Sequence, residues 1–355
     1  VQNIDIKNGY IYFIASPDNA SQRYLFRASI NGKKEAERLT PTDQPGYHRY
    51  QVSPDSKWAI HTFMSASTPI TIDLVSLHKH KSVRMLVDNK ILKEKLSQLN
   101  ANPVEFFKVE IEEGVVLDGW MIKPPNFNPG KEYPVLFHVY GEPAGQRVLD
   151  IPPRLWHVMM SQKGYIVACV DNRGTPAPKG NKWRKSVYMQ IGALSSADQA
   201  KAAEIIGSWD FVDEDRMAIW GWSGGGSSTL QAMFRYPEIY HTGMSVAPVP
   251  DQRLYDAVYQ ERYMRTYKEN KEGFDKGSPI NFAKNLEGNL LIIHGTGDDN
   301  VHYQGTEKLI NELIKHKKSF TMRAYPTRSH SIREGEGTTL HLYELLTRYL
   351  MTNMP

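Results

Sequence analysis

Ser223 stands in Gly221-Trp222-Ser223-Gly224-Gly225, after Arg216-Met217-Ala218-Ile219-Trp220, which reads as a buried strand, and before residues 227–234, which read as a helix. A Gly-x-Ser-x-Gly at such a junction is a nucleophile elbow. The turn is too sharp for side chains at the flanking positions, so these must be glycine. It pushes the hydroxyl clear of the backbone at the N-terminal end of a helix, where N–H groups stabilise an oxyanion. Taken by itself the pentapeptide reads equally as a glycine-rich turn with a spare serine. The strand and helix on either side decide for a catalytic serine.

A serine hydroxyl is a weak nucleophile near pH 7. It needs a base, and the base needs an orienting carboxylate. In α/β-hydrolases the chain order is Ser, then Asp or Glu, then His, each at the C-terminal end of a strand. Asp298 and Asp299 follow a strand-like run in His294-Gly295-Thr296-Gly297-Asp298-Asp299-Asn300. His330 follows another in Pro326-Thr327-Arg328-Ser329-His330. Alone, Asp298 would be a loop carboxylate capping Asn300 or the next helix, and His330 a surface histidine. The order of all three carries the reading. His294, His302 and His316 compete for the base: the first lies too near a buried strand end, the second too near Asp298, and the third at a helix end. The oxyanion needs two donors. The Gly224 N–H is one. The hydroxyl of Tyr140, where residues 135–140 open into Gly141-Glu142-Pro143, is the other; its bland reading is a strand-end tyrosine packed on the core.

These groups need a scaffold. Residues 135–140, 165–170, 216–220, 244–247 and 290–293 are near-continuous apolar runs, as strands buried on both faces should be. Helical spacing between them, at residues 197–206 and at Leu309, Ile310, Leu313 and Ile314, predicts alternating β and α, hence a doubly wound, mostly parallel sheet. A strand at 320–325 and an amphipathic helix through Leu342, Leu346 and Leu350 close the chain. A hairpin around Glu113-Gly114 opens this part. Before it the pattern is all-β: strands at 9–15, 24–30, 36–40, 50–63 (two around Pro54-Asp55-Ser56), 70–77 and 82–87, with a hairpin turn at Asn31-Gly32. Two units of about 40 residues fit blades of a β-propeller, against a small β-sandwich as the alternative. The expected division is residues 1–90, a partial β-propeller, and 91–355, an α/β-hydrolase catalytic domain.

Bulk properties narrow the partners. A net charge of +4 without a basic run makes nucleic acid a poor partner. Cys169 is the single cysteine, which excludes an intrachain disulfide and a cysteine-rich metal site. No apolar run reaches membrane-spanning length. Val1-Gln2-Asn3-Ile4-Asp5 shows no starting Met, basic n-region or apolar h-region, so the expectation is a piece of a longer protein with no signal peptide in view. Neither a metal nor a cofactor is expected.

Together these residues resemble the prolyl oligopeptidase family of serine peptidases, in its dipeptidyl peptidase IV branch. Four stretches carry the likeness: Gly221-Trp222-Ser223; His294 to His302, with Asp298 at the triad position; Val246-Ala247-Pro248-Val249 with Tyr255-Asp256, Tyr259 and Glu261-Arg262-Tyr263-Met264; and Tyr140-Gly141. The resemblance implies that Asn300 holds a substrate carbonyl and that Val249, Tyr255, Tyr259 and Val301 line the first specificity pocket. It also implies peptide substrates, a homodimer, and a periplasmic, secreted or membrane-tethered setting, although the sequence itself fixes no compartment. Three departures stand out. Gly224 replaces an aromatic, Gln252 replaces another, and Gly141-Glu142-Pro143 replaces Gly-Gly-Pro. Each lost ring contact is worth about 0.5–1.5 kcal/mol beyond its area. The branch's paired glutamates for the substrate N-terminus match no motif here.

The expected function is a serine peptidase cutting short peptides through an acyl-enzyme, dipeptidyl-peptidase-like with Pro or Ala before the cut. The alternatives are an acyl-peptide hydrolase or carboxylesterase using the same triad in a pocket enlarged at Gly224 and Gln252, and a non-catalytic, propeller-bearing interaction protein.

Overall fold

The computed structural model describes residues 1–355, which form two compact units. The smaller comprises Val1–Val104 and Val148–Leu155, the larger Glu105–Arg147 and Trp156–Pro355.

The smaller unit holds two four-stranded antiparallel sheets. One joins β1 (Asn3–Asp5), β2 (Tyr10–Ala15), β3 (Tyr24–Ser29) and β4 (Glu37–Arg38); the other joins β5 (Tyr47–Val52), β6 (Trp58–Ser65), β7 (Thr68–Ser76) and β8 (Lys81–Val87). Tyr12, Leu25, Leu39, Tyr50, Ala59, Val75 and Leu77 make its core. Strand β1 is too short and polar for its pattern to show in sequence, and it forms through its register with β2. Helix α1 (Lys90–Ser97) stays with this unit, and Asn89 Nδ2 before it donates to the Ile70 carbonyl at 2.7 Å. The division therefore falls after Val104 rather than at residue 90. A returning stretch, 148–155, belongs here through Asp150. Its carboxylate accepts from Gln22 Nε2 at 2.8 Å and from the Ala66 N–H at 2.7 Å, and its own N–H donates to the Ser21 carbonyl.

The larger unit is built on one eight-stranded sheet. In chain order its elements are β9 (Glu105–Glu112), β10 (Val115–Ile122), β11 (Tyr133–His138), α2 (Leu155–Gln162), β12 (Ile166–Asp171), α3 (Gly180–Lys185), α4 (Ala193–Gly207), β13 (Val212–Trp222), α5 (Gly224–Arg235), β14 (Thr242–Val246), α6 (Ala257–Met264), α7 (Lys271–Gly277), β15 (Asn289–Gly295), α8 (Tyr303–Lys315), β16 (Thr321–Tyr325) and α9 (Thr338–Asn353). Across the sheet the strands run β16-β15-β14-β13-β11-β12-β10-β9. The six from β16 to β12 are parallel; the β9–β10 hairpin adds antiparallel at one edge. This is an α/β-hydrolase sheet. The apolar runs are buried as expected, β12 and β14 along their whole length. Val135, Phe137, Ile219, Leu230, Leu290, Ile292 and Leu309 share one core.

Four helices escape the sequence pattern. Helix α2 is apolar on most sides and buries Trp156, His157, Val158 and Met160, so it shows no polar face to mark its period. Helices α3, α6 and α7 are short and rely on tertiary contacts.

Candidate active site

Ser223 stands where β13 stops and α5 begins. Its backbone takes φ 61° and ψ −122°, a conformation that costs a residue with a side chain about 1–3 kcal/mol. Close approach dictates the flanking glycines. A Cβ on Gly221 would lie 2.4 Å from the Gly225 carbonyl, and one on Gly225 would lie 2.3 Å from the Val139 carbonyl oxygen. The Ser223 N–H donates to Val246 O at 2.8 Å, which pins the corner to β14. Gly224 opens α5, so its N–H has no partner inside the helix. That is the condition an oxyanion donor requires.

The acid and the base arrive on loops after adjacent strands. In the β15–β16 pairing Gly295 lies opposite Tyr325. Beyond that register the loops are stitched together: Thr296 N–H donates to Tyr325 O, Gly297 N–H to Arg328 O, and Thr327 N–H to Thr296 Oγ1. Asp298 is buried and His330 half-buried. His330 Nδ1 lies 2.7 Å from Asp298 Oδ2. An ionised carboxylate only accepts, so Nδ1 carries the proton and Nε2 is left with its lone pair. The Trp222 indole N–H donates to the His330 carbonyl at 2.9 Å. The residue next to the nucleophile thereby holds the backbone of the histidine. Sequence places Ser223, Asp298 and His330 only in order; the fold brings their loops to one end of the sheet. Asp299 is exposed and is not the partner of His330.

Asp298 is held from four directions. Oδ1 accepts from the Asn300 and Val301 N–H groups at 3.0 and 2.8 Å. Oδ2 also meets His294 Nε2 at 3.1 Å. Burial works to raise this carboxyl, but the bonds from His294, His330 and the Val301 N–H outweigh it and keep it below the usual carboxylate range. His294 is fully buried, with Nδ1 on Thr306 Oγ1 at 2.7 Å. It supports the acid and does not compete for the role of base. The sequence signal for this was present: a histidine four residues before the acid, at a buried strand end.

The predicted pocket residues gather beside the elbow. The Tyr140 carbonyl accepts from Ser228 Oγ at 3.0 Å, and the Arg147 guanidinium lies over its ring at 4.2 Å. Burial raises the Tyr140 hydroxyl, with Glu142 adding to the effect, so it stays protonated and able to donate. Tyr255 and Tyr259 meet edge to face at 5.4 Å. The Tyr255 hydroxyl donates to Asn300 Oδ1 at 3.3 Å, which leaves the amide nitrogen of that exposed residue to serve a ligand. Val249 and Val301 are buried; the Val249 N–H donates to Ser227 Oγ, and Val301 O meets His294 Nε2. Gln252 is turned into the protein, where its N–H and Nε2 donate to Ser278 Oγ and Gly277 O and its Oε1 accepts from Gln260. The space beside Gly224 is filled. A Cβ there would lie 2.2 Å from Glu142 Cγ. Nothing in the sequence marks Glu142 as a wall of this site, because α5 and α6 reach it from distant chain segments.

The model of the prolyl oligopeptidase family matches residues 154–354, and that of the dipeptidyl peptidase IV (DPP IV) N-terminal region matches residues 1–70. A probable dipeptidyl-aminopeptidase B of Emericella nidulans is 37% identical over 98% of this chain and 38% of its own length. One from Neosartorya fischeri is 33% identical over the same shares. Among solved structures, dipeptidyl peptidase 4 of Porphyromonas gingivalis superposes with a TM-score of 0.94 at 38% identity, covering 99% of this chain and 49% of that one. A putative dipeptidyl aminopeptidase IV from Bacteroides ovatus gives 0.87 at 28%, with the same coverage. The chain thus spans well under two thirds of the relatives it matches. With more than half of its residues under one family model, and that half carrying the elbow and the acid and base loops, the chain belongs to the prolyl oligopeptidase family.

Proposed function

We propose that the chain carries the catalytic apparatus of a serine peptidase that releases dipeptides through an acyl-enzyme. The observation that carries this is the 2.7 Å bond between His330 and the buried Asp298, tied by Trp222 to the strained corner that presents Ser223. In this scheme Ser223 Oγ attacks the scissile carbonyl carbon while His330 Nε2 takes the hydroxyl proton. The carbonyl oxygen becomes an oxyanion facing the Gly224 N–H and the Tyr140 hydroxyl. The C–N bond then breaks as His330 returns the proton to the leaving amine. Water, deprotonated by the same imidazole, repeats the attack and frees the acid and Ser223. The names of the relatives from Emericella nidulans and Porphyromonas gingivalis support dipeptides as the released unit. The match to the DPP IV N-terminal region and the two four-stranded sheets support a partial β-propeller for the smaller unit.

A fluorophosphonate should add once, on Ser223, as read by intact mass and peptide mapping. Ser223→Ala should abolish the adduct and lower turnover by about 10⁶. Unchanged turnover in that variant would falsify the scheme.

A further inference from the structure

Glu142 is a carboxylic acid enclosed beside the nucleophile, and the reaction scheme gives it no task. It is 7% exposed. Its Cγ occupies the place where any side chain on Gly224 would begin. The Tyr259 hydroxyl donates to Oε2 at 2.8 Å and is the only hydrogen bond on the carboxyl. Tyr140 and Tyr255 feel its charge. Three of the residues that surround it, Tyr140, Tyr255 and Tyr259, are those assigned above to the oxyanion and the first pocket. A purely apolar pocket would gain nothing from such a group. Burying an acid with one partner is unfavourable, and the second oxygen is satisfied only if something else donates to it.

We propose that Glu142 is a specificity-determining residue: it fills the volume beside Gly224 and offers a carboxyl oxygen to the substrate side chain preceding the cut, selecting a hydrogen-bond donor over a plain proline ring. The proposal rests on the peptidase reading and deepens it. Sites built to bond a hydroxyl reject the analogue that lacks one, because their own polar group is then left unpaired. The expectation of a pocket enlarged at Gly224 gives way to one that is filled and made polar. Burial also pushes the Glu142 carboxyl up to about 7 against the pull of Tyr259. The titratable and charged groups that face it are Tyr259 from α6, Tyr255 before it, and Tyr140 after β11 with Arg147 stacked on its ring. A stronger acceptor above that value should discriminate more.

The test compares isosteric pairs. Values of kcat/KM are measured for Gly-Ser against Gly-Ala and Gly-Thr against Gly-Val p-nitroanilides, with Gly-Pro alongside, from pH 5.5 to 8.5. Wild type at pH 8 should favour each hydroxyl by about tenfold. The ratio should shrink as pH falls through 7, and any pH effect on the shared catalytic groups cancels within a pair. Glu142→Leu should bring both ratios near one and raise Gly-Pro turnover. Should that variant fold poorly by thermal midpoint, the wild-type pH series and Glu142→Gln, which should lower the ratios several-fold, stand in for it. Ratios that are flat with pH and equal in all three proteins overturn the proposal while leaving the peptidase intact. Fluorophosphonate labelling of Ser223 without cleavage of any anilide overturns both.

Discussion

At the level of single residues, the proposed scheme divides the site into groups that react and groups that hold them. In the proposed scheme the Tyr140 hydroxyl, which burial keeps protonated, donates to the oxyanion. Tyr140→Phe should lower kcat by about 10²–10³ with little change in KM, as steady-state kinetics on one anilide would show; a loss under twofold would remove it from the oxyanion site. Asp298 fixes the tautomer of His330. Asp298→Asn keeps the shape but lets the amide donate to Nδ1, which puts the ring proton on Nε2 and leaves no lone pair there to take the serine proton, so kcat should fall by about 10⁴. Because its carboxyl is held below the ordinary range, Asp298 stays ionised wherever the enzyme is assayed, and its contribution to stability fades only as pH drops below the ordinary Asp value. Much of this was legible in sequence. The elbow has sterically forced glycines, and Ser, Asp and His appear in hydrolase order. The role of Glu142 was not legible, since it is set by neighbours that local pattern does not reveal; His294 was set aside as base by its buried strand end, but its support of Asp298 shows only in the fold.

At the level of elements, the smaller unit stacks histidines where a plain β-core would have aliphatics. His48 Nδ1 meets His61 Nε2 at 2.8 Å, His61 Nδ1 meets Asp73 at 2.9 Å, and the Tyr50 hydroxyl meets His80 Nε2 at 2.7 Å. His48 Nε2 also meets the Gln44 carbonyl at 3.0 Å. Two neutral rings bring two N–H groups to the three contacts from Gln44 to Asp73, so one contact goes unmade until a proton is added. Burial outweighs that inducement and pushes His48 down to about 3, His80 down to about 4, and His61 below its ordinary value. The unfolded chain takes up protons below about 6.5, while folded His48 and His80 do not until about 4 or lower. Stability of this unit is therefore full above 6.5 and declines as pH falls toward 3. Thermal melts followed by circular dichroism at pH 7.5, 5.5 and 4.5 should show a falling midpoint; a rising one would mean that the cluster binds a proton when folded. Strand β8 belongs to the same scale. All seven of its residues are exposed, at the edge of its sheet, so its amides should exchange with deuterium far sooner than those of the buried β14 and β15. Its alternating sequence announces a strand, but not that neither face is covered.

At the level of the whole molecule, the division into units is not a division of the chain into halves. Buried parallel strands made the larger unit readable, since near-continuous apolar runs leave few other folds. The return of residues 148–155 to the smaller unit was unreadable, because the ties that hold it, among them three bonds of Asp150, reach residues far away in sequence. The backbone therefore passes between the two bodies three times, near residues 104, 147 and 155. One proteolytic nick at the first crossing should leave a particle that elutes intact from gel filtration and separates only in denaturant. Asp150→Ala should let the 1–104 fragment leave under native conditions. The larger unit thus cannot be excised by a single scissor cut: a gene trimmed to start at residue 105 would still encode a thread that belongs to its lost neighbour, and that thread would dangle in water with its acid looking for a host.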